Sequence, residues 1–191
     1  MKRSLGPMTL VYPTPVFVIG TYDLSGKPNI MTVAWAGLCC SSPPCVAIAT
    51  RKATYTYGNL VDRKAFTLNI PSQAHIRETD YAGLVSGRTE DKFTATGLTA
   101  VPSSVVDAPY VEEFPVAIEC VVRHMFELGL HTQFVGEILD VKIDDAALAP
   151  DGLPDIKKLN PMVFSPEGRG YYGIGELLGK PFSIGKTIDE K

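Results

Sequence analysis

The fold is decided by the stretch from Gly26 to Leu60, GKPNIMTVAWAGLCCSSPPCVAIATRKATYTYGNL. It begins inside a turn, residues 24–28 (LSGKP), where Gly26 supplies the positive φ that a tight reversal needs. Residues 29–37 (NIMTVAWAG) then read as a strand returning beside residues 15–23 (PVFVIGTYD). Residues 45–50 (CVAIAT) are continuously apolar with β-branched members, which suits a strand buried on both faces. Ser41, Ser42, Pro43 and Pro44 turn the chain between these two runs, so that both flanking strands line one pocket. After Thr50 the pattern changes: Arg51 and Lys52 precede Thr54, a suitable N-cap for a short helix that turns Leu60 and Val61 inward.

The same stretch holds three of the four cysteines, Cys39, Cys40 and Cys45, which raises the question of a metal or iron–sulfur centre. Closed centres use well-spaced pairs that aim two thiolates at one ion. Cys39 and Cys40 are adjacent and point to opposite faces if extended. Cys40 and Cys45 stand alone as a C-x4-C, and Cys120 is remote. The spacing is poor for chelation, and the thiols read as small apolar side chains filling gaps behind the pocket wall.

Downstream, residues 65–71 (AFTLNIP) form another strand, and residues 72–85 (SQAHIRETDYAGLV) a helix capped by Ser72. Residues 86–97 (SGRTEDKFTATG) read as a polar segment around Gly87, and residues 101–115 as a proline-bearing loop. Residues 116–128 and 131–144 form a long hairpin about Gly129. The chain closes on glycine-rich loops and a last short strand. Strands outnumber helices, and no βαβ rhythm with a glycine-rich phosphate turn is present, which excludes a doubly wound dinucleotide fold. The late G-x-G-x-x-x-G of residues 173–179 reads as a loop. The expected architecture is one domain over residues 1–191, mainly β with flanking helices, as an antiparallel barrel.

Composition narrows the function classes. A chain of 191 residues that is 45% hydrophobic can bury one good core. The net charge of −3, with scattered cations, provides no field for nucleic acid or an anionic membrane. No run approaches the roughly 18 apolar residues of a membrane span. The apolar N-terminal run is broken by Pro13, Pro15 and Gly20, unlike a signal peptide. A cytoplasmic protein with reduced thiols is expected. Hydrolase motifs of the G-x-S-x-G and H-E-x-x-H kind are absent. His75, His124 and His131 are isolated from one another. His124 reads as structural and His131 as a residue at the hairpin tip.

Two polar clusters remain. Arg51, Lys52, Thr54 and Thr56 place two cations and two hydroxyls at a helix N-terminus, which can receive a phosphate or can simply be a capped, solvated helix start. Ser86, the Gly87 amide, Arg88 and Lys92 make a second such cluster. Trp35, the single tryptophan, either caps the core or stacks on a flat heterocycle.

Taken together, GKPNIMTVAWAGLCCSSPPCVAIATRKATYTYGNL, FTLNIPS, SGRTEDKF and LHTQFVGEILDV resemble the FMN-binding split-barrel flavoproteins of the flavin reductase type, from about Leu10 to Gly185. The resemblance implies a Greek-key split β-barrel, a homodimer and one FMN per subunit near the dimer interface. It places Asn29, Met31, Thr32 and Trp35 along one side of the isoalloxazine. Thr50, Arg51, Lys52, Thr54, Thr56 and Asn59 would hold the phosphate and ribityl chain, and Ser86, Gly87 and Lys92 would approach the phosphate or ring edge. His131 and Phe164 would border the flavin. Lys92 is the first candidate for a cation near N1 and C2=O, where positive charge raises the reduction potential. Two functions follow from the resemblance. One is an electron carrier between a redox protein donor and acceptor, which the closest part of the resemblance favours. The other is an NAD(P)H-dependent flavin reductase.

Overall fold

The computed structural model describes residues 1–190. Its centre is a seven-stranded antiparallel sheet. In chain order its members are β2 (Phe17–Tyr22), β3 (Pro28–Val33), β4 (Ala36–Ser41), β5 (Pro44–Arg51), β6 (Ala65–Ile70), β9 (Val116–Leu128) and β10 (His131–Ile143). A short strand β1 (Thr14–Pro15) pairs with β11 (Met162–Ser165), which pairs in turn with β12 (Gly170–Gly173). The third sheet joins β7 (Ala100–Pro102) to β8 (Pro109–Val111). The helices are α1 (Tyr55–Arg63), α2 (Ile76–Leu84), α3 (Lys92–Thr96) and α4 (Ile156–Leu159).

Strand order shows why the large sheet curls. It runs β3-β2-β6-β9-β10-β5-β4, so β3 and β4 are the two edges. Six inter-strand spacings would separate them by about 29 Å in a flat sheet. Yet only Ala34 and Trp35 lie between them in the chain, a link that spans roughly 10 Å at most. The edges must therefore approach each other, and they do so without a ladder between them. The result is a barrel split along the β3–β4 seam, as the sequence leads one to expect.

Alternation along the strands separates two cores. Ile19, Val33, Val46, Ile48, Phe66, Leu68, Cys120 and Phe134 fill the barrel, and Leu60 of α1 packs into the same cluster. Their neighbours Val18 and Ile30 face outward and pack with Ala82 of α2, Phe93 of α3, Leu98, Val111 and Phe114. Period-2 patterning thus supplies both the barrel interior and the seat for the flanking helices.

The turns follow their residues. Asp23 Oδ1 accepts from the backbone amides of Ser25 at 2.8 Å and Lys27 at 2.9 Å, and Gly26 takes φ +85°. Thr54 caps α1, accepting from the Tyr57 amide at 3.2 Å. Three expectations are revised. Ser72 makes no side-chain cap. A single 3-10 turn, Gln73–His75, precedes α2 instead. Within the polar segment after Gly87, α3 forms between an Asp91 cap and Gly97 at φ +72°. Cys39 and Cys40 are exposed rather than packed behind a wall, because β4 is an edge strand whose last four residues are exposed.

Candidate functional site

A cavity of about 450 Å³ opens beside the seam. Its wall comes from Met31 to Trp35 around the β3–β4 link, from Ala49, Thr50 and Arg51 at the end of β5 and from Thr54 at the cap of α1. His131, Asp80, Gly83, Leu84, Phe164, Tyr171 and Val16 complete it. Topology brings these together. His131 begins β10 opposite Arg51, and Thr132 lies opposite Thr50. Phe164 and Tyr171 are cross-strand partners in the β11–β12 hairpin, with ring centroids 5.4 Å apart.

Eight of the fifteen residues expected from the sequence line this cavity: Met31, Thr32, Trp35, Thr50, Arg51, Thr54, His131 and Phe164. Trp35 and His131 lie parallel, 5° between planes and 6.3 Å between centroids, and Trp35 is 42% exposed. The Thr50 hydroxyl is buried, shares the interior side of β5 with Val46 and Ile48, and has no hydrogen-bond partner. Arg51 makes no ion pair among the described residues, whereas Lys52 is bound outward to Glu127 at 2.6 Å. Thr32 donates to the Thr79 carbonyl and so fixes α2 against β3.

The remaining expected residues hold the frame around the cavity. Asn29 Nδ2 donates to Thr56 Oγ1 at 3.0 Å, and Asn59 Nδ2 donates to Thr21 Oγ1 at 3.0 Å. These buried bonds tie α1 to β3 and β2. The Asn29 Oδ1 is left without a partner. Ser86 accepts from the amides of Thr89 and Glu90 through its carbonyl, forming a turn that carries Gly87. That turn sits on the start of α1: Arg88 donates to the Ala53 carbonyl at 2.7 Å and lies over the Tyr55 ring at 5.7 Å. Residues 51–54 and 86–88, thirty-odd residues apart in sequence, therefore meet beside the α1 N-terminus.

Lys92 is buried and donates to the Ala82 carbonyl in the last turn of α2 at 2.6 Å. A cation there complements the helix dipole, and burial pushes its ammonium down to about 8. It does not line the cavity. The unfolded chain holds this proton up to about pH 10.4. Between about pH 8 and that value the unfolded state binds more protons, so stability rises with pH across the window. Below about pH 8 the burial penalty is complete. Wild type is expected to gain on the order of 1–2 kcal/mol relative to Lys92→Met between pH 7 and 10, discounted for residual solvent contact. Paired urea titrations at the two pH values measure the difference, and parallel pH dependence in both proteins would remove Lys92 as its source.

Sequence reasoning missed Asp80, Gly83, Leu84, Tyr171 and Val16. Tyr171 donates to Asp80 Oδ1 at 2.8 Å across 91 positions of sequence. Burial first, then that hydrogen bond, pushes the phenol up to about 12, so the Tyr171 hydroxyl stays protonated. Gly83 makes room for Thr32, whose Cβ would lie 3.3 Å from an added Cβ. Nothing local in the sequence marks these pairings. Among the described residues, no group of three or more His, Cys, Asp or Glu side chains is placed to hold a metal ion, and no helix is long and apolar enough to cross a membrane.

A split antiparallel barrel with an aromatic-walled cavity at its seam and a cationic, hydroxyl-rich helix start beside it defines the class. The chain belongs to the flavin reductase-like domain family, whose profile matches residues 8–173. In structure it is similar to the flavoredoxin of Desulfovibrio vulgaris (Miyazaki F), at 58% identity and a TM-score of 0.93 over 97% of this chain and 100% of that one. The flavoredoxin of Methanosarcina acetivorans is also similar, at 28% identity and a TM-score of 0.89 over 98% of each chain. An uncharacterized protein of Archaeoglobus fulgidus is 35% identical over 76% of this chain and 80% of its own length.

Proposed function

We propose that this protein is a cytoplasmic electron-transfer flavoprotein that holds FMN in the seam cavity and passes electrons between redox protein partners. The observation that carries this reading is the cavity walled by Trp35, His131, Phe164 and Tyr171, whose lining includes Thr50 with its buried, unpartnered hydroxyl. A buried hydroxyl without a partner is a stored cost that a ligand's polar edge can relieve. The volume of about 450 Å³ falls in the usual range for cofactor pockets, and the flavoredoxin likeness over the whole chain supports the same assignment.

FMN, when bound, supplies one- and two-electron redox chemistry. The chain's own residues bind and orient it. Trp35, His131 and Phe164 offer flat or apolar faces. Arg51 and the amides opening α1, where only that of Tyr57 is taken by Thr54, suit a phosphate. The Tyr171–Asp80 hydrogen bond holds the β11–β12 hairpin against α2 and closes that side of the cavity. Half-exposed Trp35 leaves the opposite side approachable, where a partner would dock transiently. Assembly as a homodimer fits the 82% exposure of Leu38 on the edge strand β4.

The test is an FMN titration followed by gel filtration and by stopped-flow reduction. Retained yellow flavin that is reduced by a low-potential protein donor and only sluggishly by NADH or NADPH supports the carrier. Rapid pyridine-nucleotide oxidation with release of reduced flavin supports the flavin reductase instead, and failure to bind FMN ends both. Thr50→Val sharpens the test through opposite signs. Removing an unpartnered hydroxyl should leave apoprotein stability unchanged or raise it by up to about 1 kcal/mol. The same change should weaken FMN about 5- to 10-fold, read by fluorescence titration. Unchanged FMN affinity would take Thr50 out of the binding set.

A further inference from the structure

The four thiols take no part in the proposed electron path, and two of them form a site of their own. Cys120 lies in the barrel core, where burial pushes it up to about 12. Cys40 and Cys45 are direct partners across the β4–β5 ladder, one step from the turn closed by Ser41 opposite Pro44. The ladder shifts register between Leu38 and Cys40, leaving Cys39 without a partner. That shift is why Cys40, and not Cys39, faces Cys45. Both thiols turn toward the same turn: Cys40 Sγ donates to the Ser42 carbonyl at 3.5 Å and Cys45 Sγ to the Pro43 carbonyl at 3.4 Å.

Directly opposed residues of an antiparallel pair have Cβ atoms about 4.5–5.5 Å apart. A disulfide requires about 3.5–4.5 Å between Cβ atoms and 4.4–6.8 Å between Cα atoms. The hairpin thus holds the pair within a small adjustment of bonding distance. Cys40 is exposed and Cys45 buried, so an external reagent meets one thiol and the second waits behind it. Burial, followed by the nearby Cys40 thiol, raises Cys45, so the exposed Cys40 is the thiol that reacts first.

We propose that Cys40 and Cys45 form a reversible dithiol–disulfide site that is oxidised by low-molecular-weight disulfides. The Cys40 thiolate attacks one sulfur of the small disulfide, forming a mixed disulfide and releasing one thiolate. The Cys45 thiolate then attacks the Cys40 sulfur and releases the second. Two electrons pass to the small disulfide, which leaves as two thiols, and both protein protons go to water or to those leaving thiolates. Cys45 precedes cavity-lining Ala49 by four residues, about 13 Å along the strand. The site therefore operates apart from the cavity and does not need flavin.

Reduced full-length protein is equilibrated with oxidised glutathione, denatured in N-ethylmaleimide and weighed intact. The expected product lacks two hydrogen atoms, carries two maleimides instead of four, and returns to four after dithiothreitol. Cys39→Ser should still lose two thiols, whereas Cys45→Ser should stop at a glutathionyl adduct on Cys40. Flavin content should be unchanged in Cys40→Ser. Four maleimides at saturating oxidised glutathione would overturn the proposal. So would a disulfide that forms in Cys45→Ser but disappears in Cys39→Ser, or a stable mixed disulfide on Cys40 in the wild type.

Discussion

Gly136→Ala is expected to destabilise the protein by about 3 kcal/mol, a large share of the 5–15 kcal/mol typical of folded domains. An added Cβ would lie 2.5 Å from Phe66 Cζ, 2.6 Å from Cε1 and 3.1 Å from Cys120 Cβ. Phe66 is fully buried in the barrel cluster with Ile19, Leu68 and Phe134, so its ring has no free volume to retreat into. Phe66→Leu alone should destabilise by leaving a void. In the Gly136→Ala background the smaller side chain vacates the contested space, and the double variant should be more stable than the sum of the two changes predicts. Urea midpoints for the four proteins measure the coupling. Simple additivity would show that the Phe66 contact is not what limits position 136.

Such contacts mark where sequence reasoning stops. Period-2 alternation, the Gly26 turn and the Thr54 cap act within a few residues, so β2, β5 and the start of α1 were readable directly, whereas residues 29–37, which read as one strand, break at Ala34 and Trp35 into β3 and β4. A barrel was readable from the run of strands, but its split only through family resemblance, since nothing local says that Ala34 and Trp35 join opposite sheet edges. Likewise α3 was missed although Asp91 and Gly97 bracket it, because five residues show too little apolar periodicity. The Asp80–Tyr171 contact depends on α2 and a distant hairpin packing on the same side of the seam. The exposure of Cys39 and Cys40 follows from β4 being an edge, a property of sheet order and not of residue type. Within the site, residue types at β3, β5 and β10 were legible as a set. Their division into cavity walls and supporting bonds, such as Asn59 to Thr21, needed the packed helices.

Gly87→Ala should produce the largest loss of FMN binding of any change outside the cavity lining. Gly87 is not required by its backbone angles; it is required by space. A Cβ there would lie 2.0 Å from Asn29 Oδ1, 2.9 Å from Asn29 Cγ and 2.6 Å from Tyr55 Cδ1. Asn29 is held by its bond to Thr56 in the first turn of α1, and Tyr55 by its hydroxyl bond to Asp23 at 2.6 Å and by Arg88 above its ring. Neither can move without disturbing the α1 N-terminus, so the Ser86–Glu90 turn must lift away and take Arg88 from the Ala53 carbonyl. Overpacking of this kind destabilises by about 1–3 kcal/mol. On the proposed reading the same displacement disperses the amides and cations that receive the phosphate, and FMN should weaken by about tenfold or more, equivalent to at least 1.4 kcal/mol. Arg88→Ala isolates the second effect, since it leaves the Gly87 contact intact. Fluorescence titration of FMN and of riboflavin, which lacks the phosphate, then separates the sources. A selective loss for FMN in both variants places the phosphate at this junction. Equal losses for the two flavins would mean that the turn supports only the shape of the cavity.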